Sequence, residues 1–271
     1  MHMTWLKEMF HTEKPIIGLL HLEELPGDPY YRDGTRMKDV IALAKKDLIA
    51  LQNGGVDGIL ITNEFSLPYQ RKVSQVNTNA IAMVVGALSD TITVPYGVEA
   101  IYDGDATIEL CAATDAQFTR CLFTGVWAGD LGLVDRNIAD TIRLKHYLRQ
   151  DDLKLFHFIN SEDEVYLNNR SLASMAKSLV SNVAPDCFVV AGSGAGNGPA
   201  MENIHEVAEN GKGTPVFCGT GCRKENVADI LKVCSGAFVG TTFKVNGQSR
   251  GRIDEARVRA FMDVVKAARG E

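Results

Sequence analysis

Two hydrophobic periods trade places along this chain eight times, and that alternation limits the fold more than any other feature. Short apolar runs, many of them β-branched and bounded by Gly, Pro or Asp, occupy Ile16–Leu22, Gly58–Asn63, Pro95–Ile101, Phe118–Gly125, Lys154–Asn160, Cys187–Ser193, Pro215–Gly221 and Gly236–Lys244. Such runs suit strands buried on both faces. Between them apolar residues recur at helical spacing. Val40, Ala44, Leu48 and Leu51 form one face, and Ile81, Val84, Val85 and Leu88 another. Further faces follow at Leu172/Met175/Ala176/Leu179, Met201/Ile204/Val207, Val227/Ile230/Leu231/Cys234 and Val258/Phe261/Met262/Val265. These spacings mark amphipathic helices laid on a sheet. The third and fourth helices, near Asp105–Asp115 and Asn137–Arg149, are less regular.

Strict β–α alternation produces a parallel sheet. Eight units within 271 residues favour closure into a single α/β domain, a (β/α)8 TIM barrel covering residues 1–271. The rival is an open doubly wound sheet. Its dinucleotide fingerprint is missing, because Gly192-Ser-Gly194-Ala-Gly196-Asn-Gly198 is not G-x-G-x-x-G and comes late. No Lys-Ser/Thr follows, so it is no P-loop either. Glycine is expected to stop helices at Asn53-Gly54-Gly55 and at Asn210-Gly211, and Asp105 and Asp254 are expected N-caps. Residues 1–14, with Trp5, Leu6, Met9 and Phe10, read as an extension that covers the barrel bottom.

A formal net charge of −6 argues against a nucleic-acid partner, which needs a basic face. It leaves room for a small phosphorylated ligand, since backbone N–H groups hold phosphate without net positive charge. The six cysteines read as reduced thiols of a cytoplasmic protein. No signal peptide is read before the first strand, and no apolar run reaches the roughly 20 residues of a membrane span. Cys218-Gly-Thr-Gly-Cys222 lacks a second ligand pair, so zinc is not expected.

Barrel chemistry sits on the loops after the strands. The last three strands end in Gly192-Ser193-Gly194, Gly219-Thr220-Gly221 and Gly240-Thr241-Thr242. Glycine admits close ligand approach, and the hydroxyls add donors, so these loops form the expected phosphate site. Lys244 follows, either a point charge for the phosphate, a Schiff-base amine, or a surface residue. His21, near the end of the first strand, is the candidate imidazole base; a core histidine is its alternative. His157 is ambiguous, because strand alternation decides which way it faces.

Acidic residues crowd the other loops: Asp28, Asp33, Glu64, Glu99, Asp103, Asp105, Asp130, Asp135, Glu162, Asp163 and Glu164. Most suit a solvated rim. Glu64 and Glu99 stand at strand ends and are candidate proton carriers, with Asn63, Asp130 and Asn160 as further site positions. A divalent cation at this rim is the chemical alternative, although the spacing gives no ligand set; no cofactor is expected. The stretch 125–137 exceeds an ordinary loop and reads as a lid or a contact between copies in a homo-oligomer.

Ordered landmarks carry a family resemblance. Pro15-Ile-Ile-Gly, His21-Leu22, Leu25-Pro26-Gly27, Gly55-Val-Asp57-Gly58 and Phe65 through Pro68-Tyr69 come first. Pro95-Tyr-Gly97-Val98, Phe123-Thr-Gly125-Val126, Asp130-Leu-Gly132-Leu, Gly192-Ser-Gly194-Ala-Gly196 and Gly240-Thr-Thr242-Phe-Lys244 follow. In this order they resemble BtpA/SgcQ proteins over nearly the whole chain. The resemblance implies a ribulose-phosphate-binding type of barrel, with one branch linked to photosystem I biogenesis and another to bacterial carbohydrate-uptake gene clusters. Three places depart from the pattern: Glu99 replaces an Asn, Cys121-Leu122 falls in an Arg-Val-Asn-Val-like stretch, and Phe158-Ile159-Asn160 replaces an Asp-Val-His-like end. The functions in contention are therefore a sugar-phosphate isomerase, epimerase or lyase, a non-catalytic assembly factor that keeps the barrel, and a metal-dependent hydrolase.

Overall fold

The computed structural model describes residues 4–192 and 201–271. Eight parallel strands close into a barrel in the order β1 (Ile16–His21), β11 (Gly236–Val239), β10 (Val216–Cys218), β9 (Cys187–Val190), β7 (Lys154–Phe158), β4 (Phe118–Cys121), β3 (Tyr96–Glu99) and β2 (Gly58–Thr62). Closure leaves no free edge, so every strand finds hydrogen-bond partners on both sides. The helices α2 (Met37–Gly54), α3 (Gln75–Leu88), α4 (Gly104–Thr114), α5 (Ile138–Tyr147), α6 (Leu172–Asn182), α7 (Met201–Asn210), α8 (Val227–Val233) and α9 (Glu255–Arg269) surround it.

Alternation along each strand splits the core in two. Ile16, Leu20, Ile59, Ile61, Val98, Leu155 and Val190 join the layer under the helices. Ile17, Leu19, Leu60, Phe118, Phe156, Val189, Phe217 and Phe238 fill the lumen. Helix α1 (Thr4–Phe10) adds Leu6 and Phe10 to that lumen cluster from below. Phe156 lies at its centre, with ring centroids 5.7 Å from Phe118, 4.9 Å from Phe217 and 5.3 Å from Phe238. Edge-on aromatic packing of this kind closes the lower lumen. The polar space is thereby confined to the opposite end, where the strands finish.

Several local expectations change. Asp103, not Asp105, caps α4: its side chain accepts the Ala106 N–H, and also the Val73 N–H at 2.7 Å. Asp105 instead accepts the Thr141 hydroxyl at 2.8 Å. Asp103→Ala should therefore cost about 1–2 kcal/mol in urea unfolding, and Asp105→Ala clearly less; equal losses would contradict this assignment. Gly55 ends α2 with φ 91°, as its glycine signal predicts. Gly211 does not play that part after α7, where the left-handed residues are Lys212 and Gly213. Gly211 permits a close approach, because a Cβ there would stand 3.0 Å from the Val207 carbonyl oxygen.

Strand four ends at Cys121, and Gly125 opens a separate antiparallel sheet. Strands β5 (Gly125–Gly129), β6 (Gly132–Arg136) and β8 (Glu164–Tyr166) pair in the order β6-β5-β8. Trp127 and Tyr166 pack together on one face of it, with centroids 4.8 Å apart, and Trp127 is buried. Val126, Leu133, Val165 and Leu167 are exposed.

Candidate functional site

The strand ends enclose a cavity of about 710 Å³ lined by His21, Glu64, Tyr69, Glu99, Arg120, Phe158, Glu162, Gly219, Thr220, Gly221, Gly240, Thr241 and Thr242, among others. Strand alternation explains the first members. His21 continues the lumen series Ile17, Leu19; Glu99 follows Gly97; Arg120 follows Phe118. Gly97 has no room for a side chain, since a Cβ there would stand 2.4 Å from the Phe118 carbonyl oxygen.

Glu99 and Arg120 form a buried ion pair, Nε to Oε2, at 3.1 Å. The Arg120 guanidinium also lies 4.8 Å from the Phe238 ring centre and 5.3 Å from that of Phe158, cation–π distances that suit its planar charge. Among the described residues its Nη1 has no hydrogen-bond partner. Burial raises the Glu99 carboxyl above the usual range, and Arg120 opposes that rise.

His21 joins a second group. Its Nδ1 stands 2.9 Å from the Lys244 Nζ, and its Nε2 3.8 Å from Glu64 Oε2. Burial holds the imidazole well below its ordinary pKa, helped by the Lys244 and Arg120 charges, so the ring is neutral at pH 7. Burial also raises the Glu64 carboxyl, against the pull of Arg120 and Lys244. The Tyr69 hydroxyl donates to the Glu64 carbonyl at 2.9 Å and fixes this loop.

The residues expected to hold phosphate divide. Gly219, Thr220, Gly221, Gly240, Thr241 and Thr242 reach the cavity together, while Ser193 and Gly194 lie outside the described residues. Gly192 does not line the cavity; its N–H donates to the Thr220 hydroxyl at 2.7 Å, tying two loops together. Gly219, Gly221 and Gly240 also have local reasons. Gly221 takes φ 71°, and a Cβ on Gly219 would come within 2.8 Å of Val189. A Cβ on Gly240 would stand 3.2 Å from His21 Nε2, so this glycine makes room for the imidazole. Arg223, Lys224 and Arg257 also line the cavity, with Glu225 and Glu162 among them.

Other expected positions serve the scaffold. Asn160 exchanges two hydrogen bonds with the Ala191 backbone, at 2.8 and 2.9 Å, and so stitches β7 to β9 while lining the cavity. Asn63 accepts the Ile101 N–H at 2.8 Å and does not line the cavity. Asp130 sits exposed at the turn between β5 and β6, away from the cavity lining. Asp28 is engaged by the Leu25 N–H, Ser66 and Asn77. Lys244 does not line the cavity; its Nζ packs against the His21 Nδ1. His157 faces the helix side, 5.1 Å from the Phe123 ring. Among the described residues no group of three His, Cys, Asp or Glu side chains has metal-binding geometry. The six cysteines are free and buried. No helix among the described residues is long and apolar enough to cross a membrane.

Sequence reasoning missed Arg120, the central cation of the mouth. Its signal was present: a lone arginine in Phe118-Thr-Arg120-Cys-Leu-Phe123, an otherwise apolar strand bound for a barrel.

A closed parallel barrel with a polar cavity at its strand ends places the chain among TIM-barrel proteins. Structures alike in fold include N-(5'-phosphoribosyl)anthranilate isomerase from Pyrococcus furiosus, with TM-score 0.55 and 12% identity over 94% of this chain and 99% of that one. Another is the N-acetylmannosamine-6-phosphate 2-epimerase from Clostridium perfringens, with TM-score 0.51 and 14% identity over 94% and 95%. The BtpA family profile matches residues 12–267, and the chain belongs to the BtpA family. It is 42% identical to the putative sgc region protein SgcQ of Escherichia coli strain K12, over 97% of this chain and 98% of that one. It is 28% identical to the photosystem I biogenesis protein BtpA of Synechocystis, over 96% and 91%.

Proposed function

We infer that this barrel is an enzyme moving protons on a small phosphorylated sugar or related metabolite, by isomerase, epimerase or lyase-type chemistry. One observation carries the reading: a single cavity is lined both by Glu64, Glu99 and His21 and by Gly219–Gly221, Gly240–Thr242, Arg223, Lys224 and Arg257. A neutral imidazole beside carboxyls raised by burial suits proton transfer near neutral pH. Backbone N–H groups at glycine turns, backed by basic side chains, suit a phosphate. The isomerase and epimerase named above share the fold, and the reading extends their phosphorylated-sugar chemistry to this cavity as a class.

Thermal unfolding against pentose and hexose phosphates, with inorganic phosphate alongside, tests it. A true ligand at 100 times its Kd adds about 2.7 kcal/mol, a rise of several degrees for a domain of this size. No shift with any phosphate ends the reading.

A second reading, an assembly factor that keeps the barrel, draws support from the exposed Val126, Leu133, Val165 and Leu167 on the small sheet. It expects no thermal shift and an unchanged phenotype when Glu64 is replaced.

A further inference from the structure

Lys244 is 2% exposed, unusual for a lysine, and its surroundings determine its protonation. Its Nζ contacts the Ser249 carbonyl oxygen and lies 4.8 Å from the centre of the Phe65 ring. A carbonyl only accepts, and a ring face attracts cations, so both contacts call for an ammonium. Burial brings this group down to about 8, which leaves it protonated at pH 7, and Glu64 and Asp47 favour the charge.

An ammonium has no lone pair. In its 2.9 Å contact with His21 Nδ1 it must donate, and Nδ1 must be bare. A neutral imidazole then carries its one proton on Nε2. Among the described residues that buried nitrogen has no hydrogen-bond partner, and Glu64 Oε2 is 3.8 Å away. The charged groups facing the imidazole are Lys244 after β11, Arg120 on β4 and Glu64 after β2, with the Phe65 ring edge-on at 6.0 Å.

We propose that Lys244 is a positioning residue that locks His21 in its Nε2–H tautomer, so that His21 stands beside Glu64 as a neutral hydrogen-bond donor rather than as a base. The sequence-based role for His21 is thereby reversed. Nε2 is itself buried and faces the Glu64 carboxylate at 3.8 Å, so taking a proton from a ligand carbon falls to Glu64, which lines the cavity. That role for Glu64 rests on the proton-transfer reading above; the tautomer does not.

Nitrogen-15 NMR of the imidazole rings, run without ligand, tests the lock. His21 is one of six histidines and is assigned by the signal lost in His21→Gln. At pH 6–7.5 its Nδ1 should resonate as a bare nitrogen and its Nε2 as a protonated one. In Lys244→Met the second tautomer or the imidazolium should become populated, while Lys244→Gln, which keeps a donor, should restore the wild-type pattern. A protonated Nδ1 in the wild type overturns the proposal, as does a pattern unchanged in Lys244→Met. Should the methionine variant not fold, the wild-type spectrum still decides. A protein that binds no phosphate ligand yet shows the Nε2–H form would separate failure of the functional reading from failure of the lock.

Discussion

Arg120→Met should lower the stability of this barrel by about 3–5 kcal/mol at pH 8, the largest loss expected from one side chain at the mouth. The substitution keeps most of the volume but leaves Glu99 buried without its partner at 3.1 Å. It also removes the charge that lies against the Phe158 and Phe238 rings. Truncating one member of a buried pair costs more than the pair contributes, because the survivor keeps its desolvation penalty. The double variant Arg120→Met/Glu99→Gln should therefore regain about 1–3 kcal/mol.

The pH dependence has a fixed sign. Burial already raises the folded-state Glu99 pKa, and Arg120 restrains it. Without Arg120 it rises further, so the folded state holds its proton over a wider range than the unfolded chain. Stability is then lost as pH rises through the interval between the unfolded and folded values. The variant should lie nearer wild type at pH 5 than at pH 8, by urea unfolding at both. A loss below about 1 kcal/mol, or a double variant no better than the single, would show that the pair does not bear on folding.

Glu64→Gln should slow proton exchange between solvent deuterium and a bound sugar phosphate by about 100- to 10,000-fold, the usual worth of a positioned general base. Binding, read by the same thermal shift as wild type, should change little, because the glutamine keeps the shape and the carbonyl contact with Tyr69 is made by the backbone. Exchange rates matching wild type would remove Glu64 from the chemistry and transfer the role to Glu99. The raised Glu64 carboxyl implies that exchange falls as pH drops through its folded-state value, since the protonated acid cannot accept.

Much of this was legible in the chain. Strand alternation depends only on neighbours two residues apart, so Ile17-Leu19-His21 and Phe118-Arg120 announce their faces locally. His21, Glu64 and Glu99 line the cavity, as their places at the ends of buried strands led the sequence reading to expect. Arg120 was overlooked although it obeys the same rule. Asp130 was overvalued, because a loop position after a strand says nothing about which way a hairpin carries it.

The sequence alone determined the closed eight-stranded barrel, the end of it that carries polar groups, and the family, because periodicity and chain order are properties of the one-dimensional string. The tertiary structure alone decided who meets whom. Lys244 and His21 stand 223 positions apart in sequence and 2.9 Å apart in space, and the proposed tautomer lock rests on that contact. Closure of the barrel brings its last strand against its first, and hydrogen-bond direction and charge depend on that distance rather than on order along the chain.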